Sequence, residues 1–329
     1  MDYRVIVTLG PACFDKEKWF NFIKIGVSDF RINTSHLDME KIDLLIARLR
    51  RFWQPLPKPL SITLDLQGSK WRIGQLSGGY LQEGDIVELV FAQSSSQDHI
   101  IPIPHRDFFD HAGQSQGSIS LNDAKISLDI IQVSQGEIRA RVIKGGWISA
   151  KKGISLKDYD FRVEELSEKD QQILARMQDA PDIRFAISYV KDQIEMERYR
   201  NYFGKNRYLA AKIERKSAID QAKGISEVAD ELWLCRGDLG AEIGLPAMAE
   251  KVAQFTRMLG EIRKPCLLAG QVLEYMTKSP TPTRSEVCYM YDALMNGYQG
   301  FVLSDETAIG DFPVESCQAA LLFRGDNLK

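Results

Sequence analysis

The strongest constraint on the fold is a repeated alternation between apolar, strand-like runs and amphipathic, helix-like segments. Eight apolar runs follow one another, and in chain order they read VIVTL, SDFRIN, LSITLD, IRFAISYV, RYLAAKIE, ELWLCR, CLLAG and GFVLS. A helical pattern or a longer excursion follows each of them, as in DKEKWFNFIKIG. Runs that are apolar throughout are typical of parallel strands covered on both faces. Eight such units predict an α/β fold, a closed (β/α)8 TIM barrel, with a doubly wound open sheet as the alternative.

A different pattern interrupts this alternation between about residues 76 and 157. The segment is rich in Gly, Ser, Asp and Gln and holds short β-patterned pieces such as DIVELVFA and EIRARVI. This predicts a small all-β domain inserted between two barrel parts, residues 1–75 and 158–329. Because the insertion follows the third strand, at the end of the barrel where active sites form, we expect it to act as a lid. A decorative insertion is the alternative.

Composition restricts the class of protein. The chain has 329 residues, a hydrophobic fraction of 44%, a charged fraction of 26% and a formal net charge of -3. These values are ordinary for a soluble globular protein, and the charge argues against nonspecific nucleic-acid binding. The sequence predicts no membrane span and no signal peptide. The cysteines lack metal-ligand spacing, which favours small core residues and a cytoplasmic location; they are Cys13, Cys235, Cys266, Cys288 and Cys317.

Charged residues at two strand ends give the first indication of function. Lys212 and Glu214 stand two residues apart at the end of RYLAAKIE, and Asp238 follows the next run. Residues two apart in a strand share one face, so neighbouring strands would bring one ammonium and two carboxylates together. Such a group is costly to bury unless it is neutralised, and a divalent metal with an anionic substrate would neutralise it. A structural ion pair is the alternative.

Other polar residues follow further strands and are expected at the same barrel mouth. They are Arg31, Asn33, Ser35 and His36 after the second strand, Asp65 and Arg72 after the third, Gly270 after the seventh and Ser304 after the eighth. Arginine and lysine suit phosphate or carboxylate, the two carboxylates suit Mg²⁺, and the uncharged oxygens with Asp65 suit a monovalent cation. Phosphoryl transfer needs such positioned charge and little covalent help.

Nearly the whole chain resembles the pyruvate kinase family. The resemblance is carried, in shared order and spacing, by VTLGPAC, FRINTSH, LDLQGSKWRIG, SAKKGISL, AKIE, CRGDLGAEI, GQVLEYMTKSPTPTRSE and LSDETAIGDFP. It implies the barrel with its lid, and a glycolytic reaction that moves a phosphoryl group between phosphoenolpyruvate and a nucleoside diphosphate.

The resemblance also implies roles for matching positions. Glu214 and Asp238 would bind Mg²⁺ or Mn²⁺, Lys212 would contact the phosphoryl group and the enolate oxygen, and Arg31 would bridge phosphates. A potassium site would consist of Asn33, Ser35, Asp65 and the Leu66 carbonyl. The remaining substrate-binding residues would be Gly237 and Asp238, whose backbone would hold the carboxylate, Arg72 and Lys152, which would contact nucleotide phosphates, and His36 and Ser304.

Several positions depart from the family pattern. Gly270 replaces a threonine whose hydroxyl would lie beside the methylene carbon of the substrate, and Ile309 and Gln67 replace lysines. The helix after FRINTSH lacks the tyrosine of the family near the nucleotide base. The sequence stops at Lys329, so we expect the C-terminal domain of the family, its effector site and one oligomer contact to be absent. A homo-oligomer stays open.

Three functions fit these observations. The first is pyruvate kinase-like phosphoryl transfer, which retention of Lys152 and the lid favours. The second is a metal-dependent enolate enzyme of the aldolase or lyase type, acting on phosphoenolpyruvate or a 2-oxo acid, which Gly270 favours because it opens space at the reacting carbon. The third is a non-catalytic paralogue, which the retained charged cluster disfavours.

Overall fold

The computed structural model describes residues 1–27, 29–54, 60–112, 117–122, 124–157, 163, 165–177 and 179–325. Its strands are Arg4–Thr8 (β1), Asp29–Asn33 (β2), Ser61–Leu66 (β3), Gly79–Leu81 (β4), Ile86–Val90 (β5), Ile100–Pro102 (β6), Ser118–Leu121 (β7), Ile126–Ser134 (β8), Glu137–Lys144 (β9), Gly146–Ile148 (β10), Ile154–Leu156 (β11), Ile183–Ile187 (β12), Leu209–Ile213 (β13), Glu231–Cys235 (β14), Cys266–Ala269 (β15) and Gly300–Leu303 (β16).

The α-helices are Lys16–Lys24 (α1), Met39–Trp53 (α2), Arg106–Ala112 (α3), Glu168–Met177 (α4), Gln193–Phe203 (α5), Lys216–Asp220 (α6), Ala222–Val228 (α7), Arg236–Ile243 (α8), Leu245–Met258 (α9), Arg284–Met295 (α10), Asp305–Ala308 (α11) and Pro313–Ala320 (α12). Short 3-10 turns lie at Pro11–Cys13, Thr34–His36, Leu259–Glu261 and Glu274–Thr277. None of the helices in the described ranges is both long and apolar enough to cross a membrane.

Eight parallel strands close into a barrel in the order β1-β16-β15-β14-β13-β12-β3-β2. This confirms the predicted closed barrel and excludes the open sheet. One face of the strands fills the interior with a cluster of mostly small and aliphatic side chains; it contains Ile6, Ala186, Ala210, Trp233, Cys235, Leu267, Ala269 and Val302. The other face packs against the surrounding helices and forms the larger core. Both faces are buried, which explains the uniformly apolar strands in the sequence.

A separate sheet domain lies in the chain between β3 and β12. Its main sheet has the order β11-β7-β8-β9-β5-β6, and β4 pairs with β10 in a two-stranded ribbon. It has a hydrophobic core of its own, to which the helix α3 contributes Phe108 and Phe109. The sequence pattern predicts only β-structure here, and this helix is therefore a correction to the all-β prediction. The predicted boundary at residues 157 and 158 adjoins 158–162, which lie outside the described residues.

Helix starts follow ordinary capping chemistry. The carboxylate of Asp15 accepts the backbone N–H of Lys18 and caps α1, and Thr283 with Glu286 forms a capping box at α10. These caps fix where each helix begins relative to the preceding strand. They therefore set which residues are left in the loops at the barrel mouth.

An ion-pair network closes the end of the barrel opposite the mouth. Arg4 in β1 bridges Asp29 in β2 and Glu231 in β14, and Arg184 donates to Asp29 at 2.9 Å. Tyr208 also donates to Glu231, at 2.9 Å. Both carboxylates are almost fully buried, so each needs these partners to remain charged. Charge at this end of a barrel serves stability rather than chemistry.

Candidate active site

A cavity of about 610 Å³ lies between the barrel mouth and the sheet domain. The carboxyl ends of several barrel strands and the segments that follow them contribute predicted site residues to its lining; these are Arg31, Asn33, His36, Arg72, Lys212, Glu214, Gly237, Asp238, Gly270 and Ser304. From the sheet domain side, Lys152, Asn122 and Lys125 line the same space. Three predicted residues, Ser35, Asp65 and Leu66, are not among the lining residues.

Lys212 is the centre of a buried charged cluster. Its ammonium lies 3.0 Å from Glu214 Oε1 and 3.1 Å from Asp65 Oδ2, and it donates to the Ser188 hydroxyl at 2.9 Å. Glu214 Oε2 in turn accepts the backbone N–H of Tyr189 at 2.8 Å. The period of two along β13 therefore places the predicted pair on one face. The cluster is held by strands β3, β12 and β13 together.

Arg31 lies in the same cluster and is bound to protein groups. Its Nε and Nη2 donate to Asp65 Oδ2 at 2.7 and 2.5 Å, and Nη1 donates to the Thr8 hydroxyl at 2.6 Å. The guanidinium thus spans β1, β2 and β3. These contacts fix the orientation of the guanidinium, which lowers the entropy that it would lose on binding an anion.

Lys70 is a member of the site that the sequence analysis missed. Its ammonium contacts both oxygens of Asp238, and it is 7% exposed. With Lys70 and Arg31 included, three cations face the three carboxylates of Asp65, Glu214 and Asp238. The expected excess of negative charge is therefore absent, and the cluster is balanced without a metal. The signal in the sequence was only a lysine four residues beyond β3, in an irregular loop.

The electrostatics of the cluster favour fully ionised groups at Asp65, Lys212 and Asp238. Burial opposes the charge of Asp65, but Lys212 and Arg31 outweigh it and lower its pKa to about 2. Burial likewise opposes the charge of Lys212, and the two carboxylates raise its pKa above the ordinary value. Lys70 lowers the pKa of Asp238 against the effect of burial. Glu214 differs, because burial raises its pKa even though Lys212 opposes that rise.

The donor set fits Mg²⁺. Glu214 and Asp238 supply hard carboxylate oxygens at the cavity wall, and the Asp238 charge is close enough to Glu214 to raise its pKa further. In the described ranges, no group of three or more His, Cys, Asp or Glu side chains is placed to hold a metal. Mg²⁺ is the ion that keeps several waters and uses one or two carboxylates together with substrate oxygens. A closed all-protein zinc site does not fit these residues.

Three of the four predicted potassium donors, Asn33, Asp65 and Leu66, already have hydrogen-bond or ion-pair partners within the protein. Asp65 is bound by Arg31, Lys212 and Ser188, and the Leu66 carbonyl accepts the N–H of Ser188. Asn33 Oδ1 accepts the backbone N–H of Ser35 at 3.2 Å, as a cap of the following turn. A monovalent cation would have to share these oxygens with the protein donors that already contact them. Potassium stays a prediction from the resemblance, and no step below requires it.

A basic side of the cavity lies between the β2 and β3 loops and the sheet domain. Arg72 Nη1 donates to the carbonyl of Lys151 at 2.8 Å, and Lys152 lines the cavity beside it. Desolvation in the cavity and the charges of Arg72 and Lys152 lower the pKa of His36, so its ring is neutral at pH 7. Clustered cations next to a neutral ring favour a polyphosphate ligand.

Lys169 adds a further cation that the sequence analysis did not single out. Its ammonium donates to the carbonyls of Thr34 and Leu37, in the loop after β2. Burial and the nearby Lys151 lower its pKa to about 8. The residue lies in α4, which follows the sheet domain in the chain, and no periodic pattern marks it. The Lys169 ammonium adds positive charge beside the loop that carries His36.

Gly270 has a backbone conformation that explains the absence of a side chain. Its φ is +75°, and the next residue, Gln271, has a φ of +55°. A Cβ on Gly270 would lie 3.2 Å from the backbone nitrogens of Arg236 and Gly237, in the first turn of α8. The Arg236 guanidinium holds this loop by donating to the carbonyls of Gly270 and Gln271 at 2.6 and 2.9 Å. The glycine therefore leaves the N-terminus of α8 uncovered.

Comparison with known proteins identifies the family of the chain. Residues 2–317 match the family model described as "Pyruvate kinase, barrel domain". A pyruvate kinase of Methylorubrum extorquens is 33% identical over 315 residues, which cover 95% of this chain and 66% of the relative. A pyruvate kinase of Thermotoga maritima is 30% identical over 319 residues, 95% of this chain and 68% of the relative. The chain thus spans about two thirds of the length of these relatives, and it belongs to the pyruvate kinase family.

Proposed function

We propose that the protein is a Mg²⁺-dependent phosphotransferase of the pyruvate kinase type, acting between phosphoenolpyruvate and a nucleoside diphosphate. The observation that carries the proposal is that Lys212, Glu214 and Asp238 meet in one cavity whose opposite side is basic. An acidic, metal-suited group beside a cationic one matches a reaction in which a phosphoryl group passes from an enolate oxygen to a diphosphate.

Binding of the first substrate follows from fixed donors. The N–H groups of Gly237 and Asp238 lie in the first turn of α8, where an anion such as the substrate carboxylate is stabilised. Mg²⁺ held by Glu214 and Asp238 would neutralise substrate oxygens and polarise them. Lys212 then stabilises the negative charge that develops on the enolate oxygen as the phosphoryl group leaves. Arg31 stabilises the phosphoryl oxygens.

Protonation of the enolate cannot use a side chain at position 270, because glycine has none. Water in the space left by Gly270 would carry the proton to the methylene carbon. The second substrate would bind its phosphates on the basic side, through Arg72 and Lys152. We expect the cytoplasm as the location, glycolysis as the setting, and small molecules rather than nucleic acid or membranes as partners; the oligomeric state stays a prediction.

Phosphorus NMR tests the proposal directly. The full chain is incubated with Mg²⁺, K⁺ and phosphoenolpyruvate and, in turn, with ADP, GDP, CDP and UDP. We expect the phosphoenolpyruvate signal to decay as a nucleoside triphosphate γ-phosphate appears. Lys212→Met should abolish transfer, and Lys223→Met, at an exposed lysine paired with Glu261 on the surface, should retain it. No transfer to any diphosphate would refute the proposal.

A metal-dependent enolate enzyme is the second candidate, favoured by the open space at Gly270. Such an enzyme would form the same enolate and would pass it to a carbon electrophile instead of a proton. Incubating pyruvate with the protein and Mg²⁺ in heavy water should exchange the methyl protons, without net phosphoryl transfer. If neither phosphoryl transfer nor proton exchange occurs, the non-catalytic paralogue is the candidate that remains.

A further inference from the structure

The helix α4 is anchored to the barrel mouth by its first turn. The Asp170 carboxylate accepts the backbone N–H groups of Gln67 and Gly68, in the loop after β3, at 3.2 and 3.0 Å. Asp170 is 1% exposed, and its own N–H donates to the Ser167 hydroxyl at 3.1 Å. Gly68 has a φ of +58°, and a Cβ there would lie 2.2 Å from the Ser188 carbonyl oxygen, so the loop has little freedom. The start of α4 therefore has a fixed position relative to the β3 loop.

Lys169, the preceding residue of the same turn, reaches the neighbouring loop. Successive helical residues point about 100° apart, so one turn can contact both loops. The Lys169 ammonium donates to the carbonyls of Thr34 and Leu37, in the loop after β2. Thr34 begins the 3-10 turn 34–36 and Leu37 ends it, so the ammonium spans the whole turn. His36, the last residue of that turn, lines the cavity.

The surroundings of Lys169 oppose its charge in the free protein. Lys151 and Arg72 repel the ammonium, whereas Asp170 and Asp38 attract it. Burial and the two cations prevail and lower its pKa to about 8. An uncharged donor could bridge the same two carbonyls without this repulsion. Cations held against one another in a cleft indicate a bound anion, because an anion would remove the repulsion between them.

The place of Lys169 in the barrel indicates which ligand it affects. Resting on the proposed function, the phosphates of the second substrate bind at Arg72 and Lys152, on the side of the cavity that His36 also lines. The first substrate is proposed to bind at Lys212 on β13 and at α8, and β13 is separated from β2 by β12 and β3 in the strand order. Lys169 itself is not among the lining residues, so it acts through the turn that it holds.

We propose that Lys169 is a positioning residue for the phosphates of the second substrate, because it holds the turn that carries His36 at the basic side of the cavity. Its role differs from that of Arg72 and Lys152, which line the cavity themselves. Loss of Lys169 therefore weakens binding of the diphosphate. Binding of the first substrate and the transfer step are left unchanged.

Steady-state kinetics with each substrate varied in turn separates these effects. The full chain is assayed with Mg²⁺, phosphoenolpyruvate and ADP. In Lys169→Met, KM for ADP should rise about tenfold, because charge-assisted hydrogen bonds to two carbonyls are lost, while kcat and KM for phosphoenolpyruvate stay within about twofold. Lys169→Arg keeps the charge and can donate to both carbonyls, and its KM for ADP should lie within about threefold of the parent value. A rise below about threefold in Lys169→Met, or an equal rise of both KM values, overturns the proposal.

A control variant and an unfolding measurement test for a purely structural role. Lys251→Met removes a lysine of α9 whose side chain is 19% exposed and contacts Asp220 and Gln254. Lys251 is not among the lining residues, so both KM values should stay unchanged. The urea midpoint of Lys169→Met should be no lower than that of Lys251→Met, because neighbouring cations already repel the Lys169 ammonium. A clearly lower midpoint together with a loss of kcat would contradict the proposal.

Failure of this proposal can be told from failure of the proposed function. If the parent transfers phosphate and Lys169→Met has the parental KM for ADP, the phosphotransferase stands and the positioning role is refuted. If the parent transfers no phosphate, isothermal titration calorimetry with inorganic tripolyphosphate measures binding at the basic side. Binding that weakens about tenfold in Lys169→Met, and not in Lys251→Met, supports the proposal without catalysis. No binding by the parent, or equal binding by the two variants, overturns it.

Discussion

Lys70 Nζ lies 2.5 Å from Oδ1 and 2.6 Å from Oδ2 of Asp238, and so joins the loop after β3 to the first turn of α8. Asp238 is also one of the two carboxylates proposed to bind Mg²⁺. The metal and the ammonium therefore compete for the same oxygens. Binding of Mg²⁺ requires Lys70 to move to another anion, for which a substrate phosphate is the natural partner.

Removal of Lys70 should therefore strengthen metal binding in the absence of substrate. For Lys70→Met we expect Mn²⁺ to bind about tenfold more tightly, because ion pairing at this distance changes the proton affinity of a carboxylate by a similar factor or more. Electron paramagnetic resonance titration measures free Mn²⁺ directly. Lys125→Met is the control, since that exposed ammonium lies 3.9 Å from Glu274 and not at Asp238. Unchanged affinity in Lys70→Met would contradict the competition.

Two buried glutamates at opposite ends of the barrel should respond differently to the same substitution. Glu214→Gln should lower phosphoryl transfer at least about 100-fold, as expected when a charge that stabilises the transition state is lost. Its unfolding free energy should fall by less than about 1.5 kcal/mol, because glutamine still accepts the N–H of Tyr189 and because burial already raises the pKa of Glu214, so that an uncharged side chain is tolerated there.

The matched control is Glu231→Gln, in the ion-pair network below the barrel. It should cost about 3 kcal/mol of stability, since Arg4 loses a buried partner, and should leave kcat/KM of the folded enzyme unchanged. Urea unfolding and steady-state kinetics provide both readouts. The reverse pattern, with stability lost at Glu214 and activity lost at Glu231, would mean that the Lys212 cluster is structural.

Acid stability should depend on Asp65. Its pKa is about 2 in the folded protein, against about 3.9 in an unfolded chain. A carboxyl whose pKa is lowered by folding stabilises the protein above the unfolded value, and this contribution is lost as the pH falls from about 4 towards 2. Between pH 6 and pH 3, the free energy of unfolding should therefore fall by about 1 kcal/mol less in Asp65→Asn than in the parent protein. Ser188→Ala, which keeps the carboxylate, should show the parental pH dependence.

Potassium should have little effect on the rate. The resemblance implies a potassium site, but Asp65, Leu66 and Asn33 already accept hydrogen bonds or ion pairs from protein groups. We expect transfer rates in K⁺ and in tetramethylammonium, at equal ionic strength and saturating Mg²⁺, to agree within about twofold, because a cation would have to share these three oxygens with protein donors. A loss of more than tenfold without K⁺ would show that these donors rearrange when substrate binds.

A side chain at position 270 should reduce activity and not restore it. In Gly270→Ala, the positive φ and two backbone nitrogens at 3.2 Å oppose the methyl group, and we expect about 1 to 2 kcal/mol of lost stability with at least tenfold lower kcat/KM. Gly204→Ala is the control. Its φ is +88° with nothing within 4 Å of the new carbon, so only stability should change, by about 1 kcal/mol. Higher transfer by Gly270→Ala would contradict this account.

The barrel could be predicted from the sequence because parallel strands are buried on both faces. Runs such as LAAKI in β13 are therefore apolar throughout, and the polar residues that end them, Lys212 to Glu214, fall at one mouth. The helix α3 could not be predicted in the same way. It is seven residues long and lies within a β-patterned segment, so it carries too few turns to show a period.

Two cations of the site, Lys70 and Lys169, could not be predicted from the sequence. Lys70 and Lys169 are brought to the mouth by tertiary packing of an irregular loop and of α4, which no local pattern encodes. The charge of the cluster was misjudged for the same reason, since its balance depends on Lys70.

The network of Arg4, Asp29 and Glu231 closes the barrel at the end opposite the mouth. Because ion pairs and Trp233 fill that end, substrates can enter and leave only through the mouth, beneath the sheet domain. Binding and release therefore use the same opening, whichever chemistry takes place there.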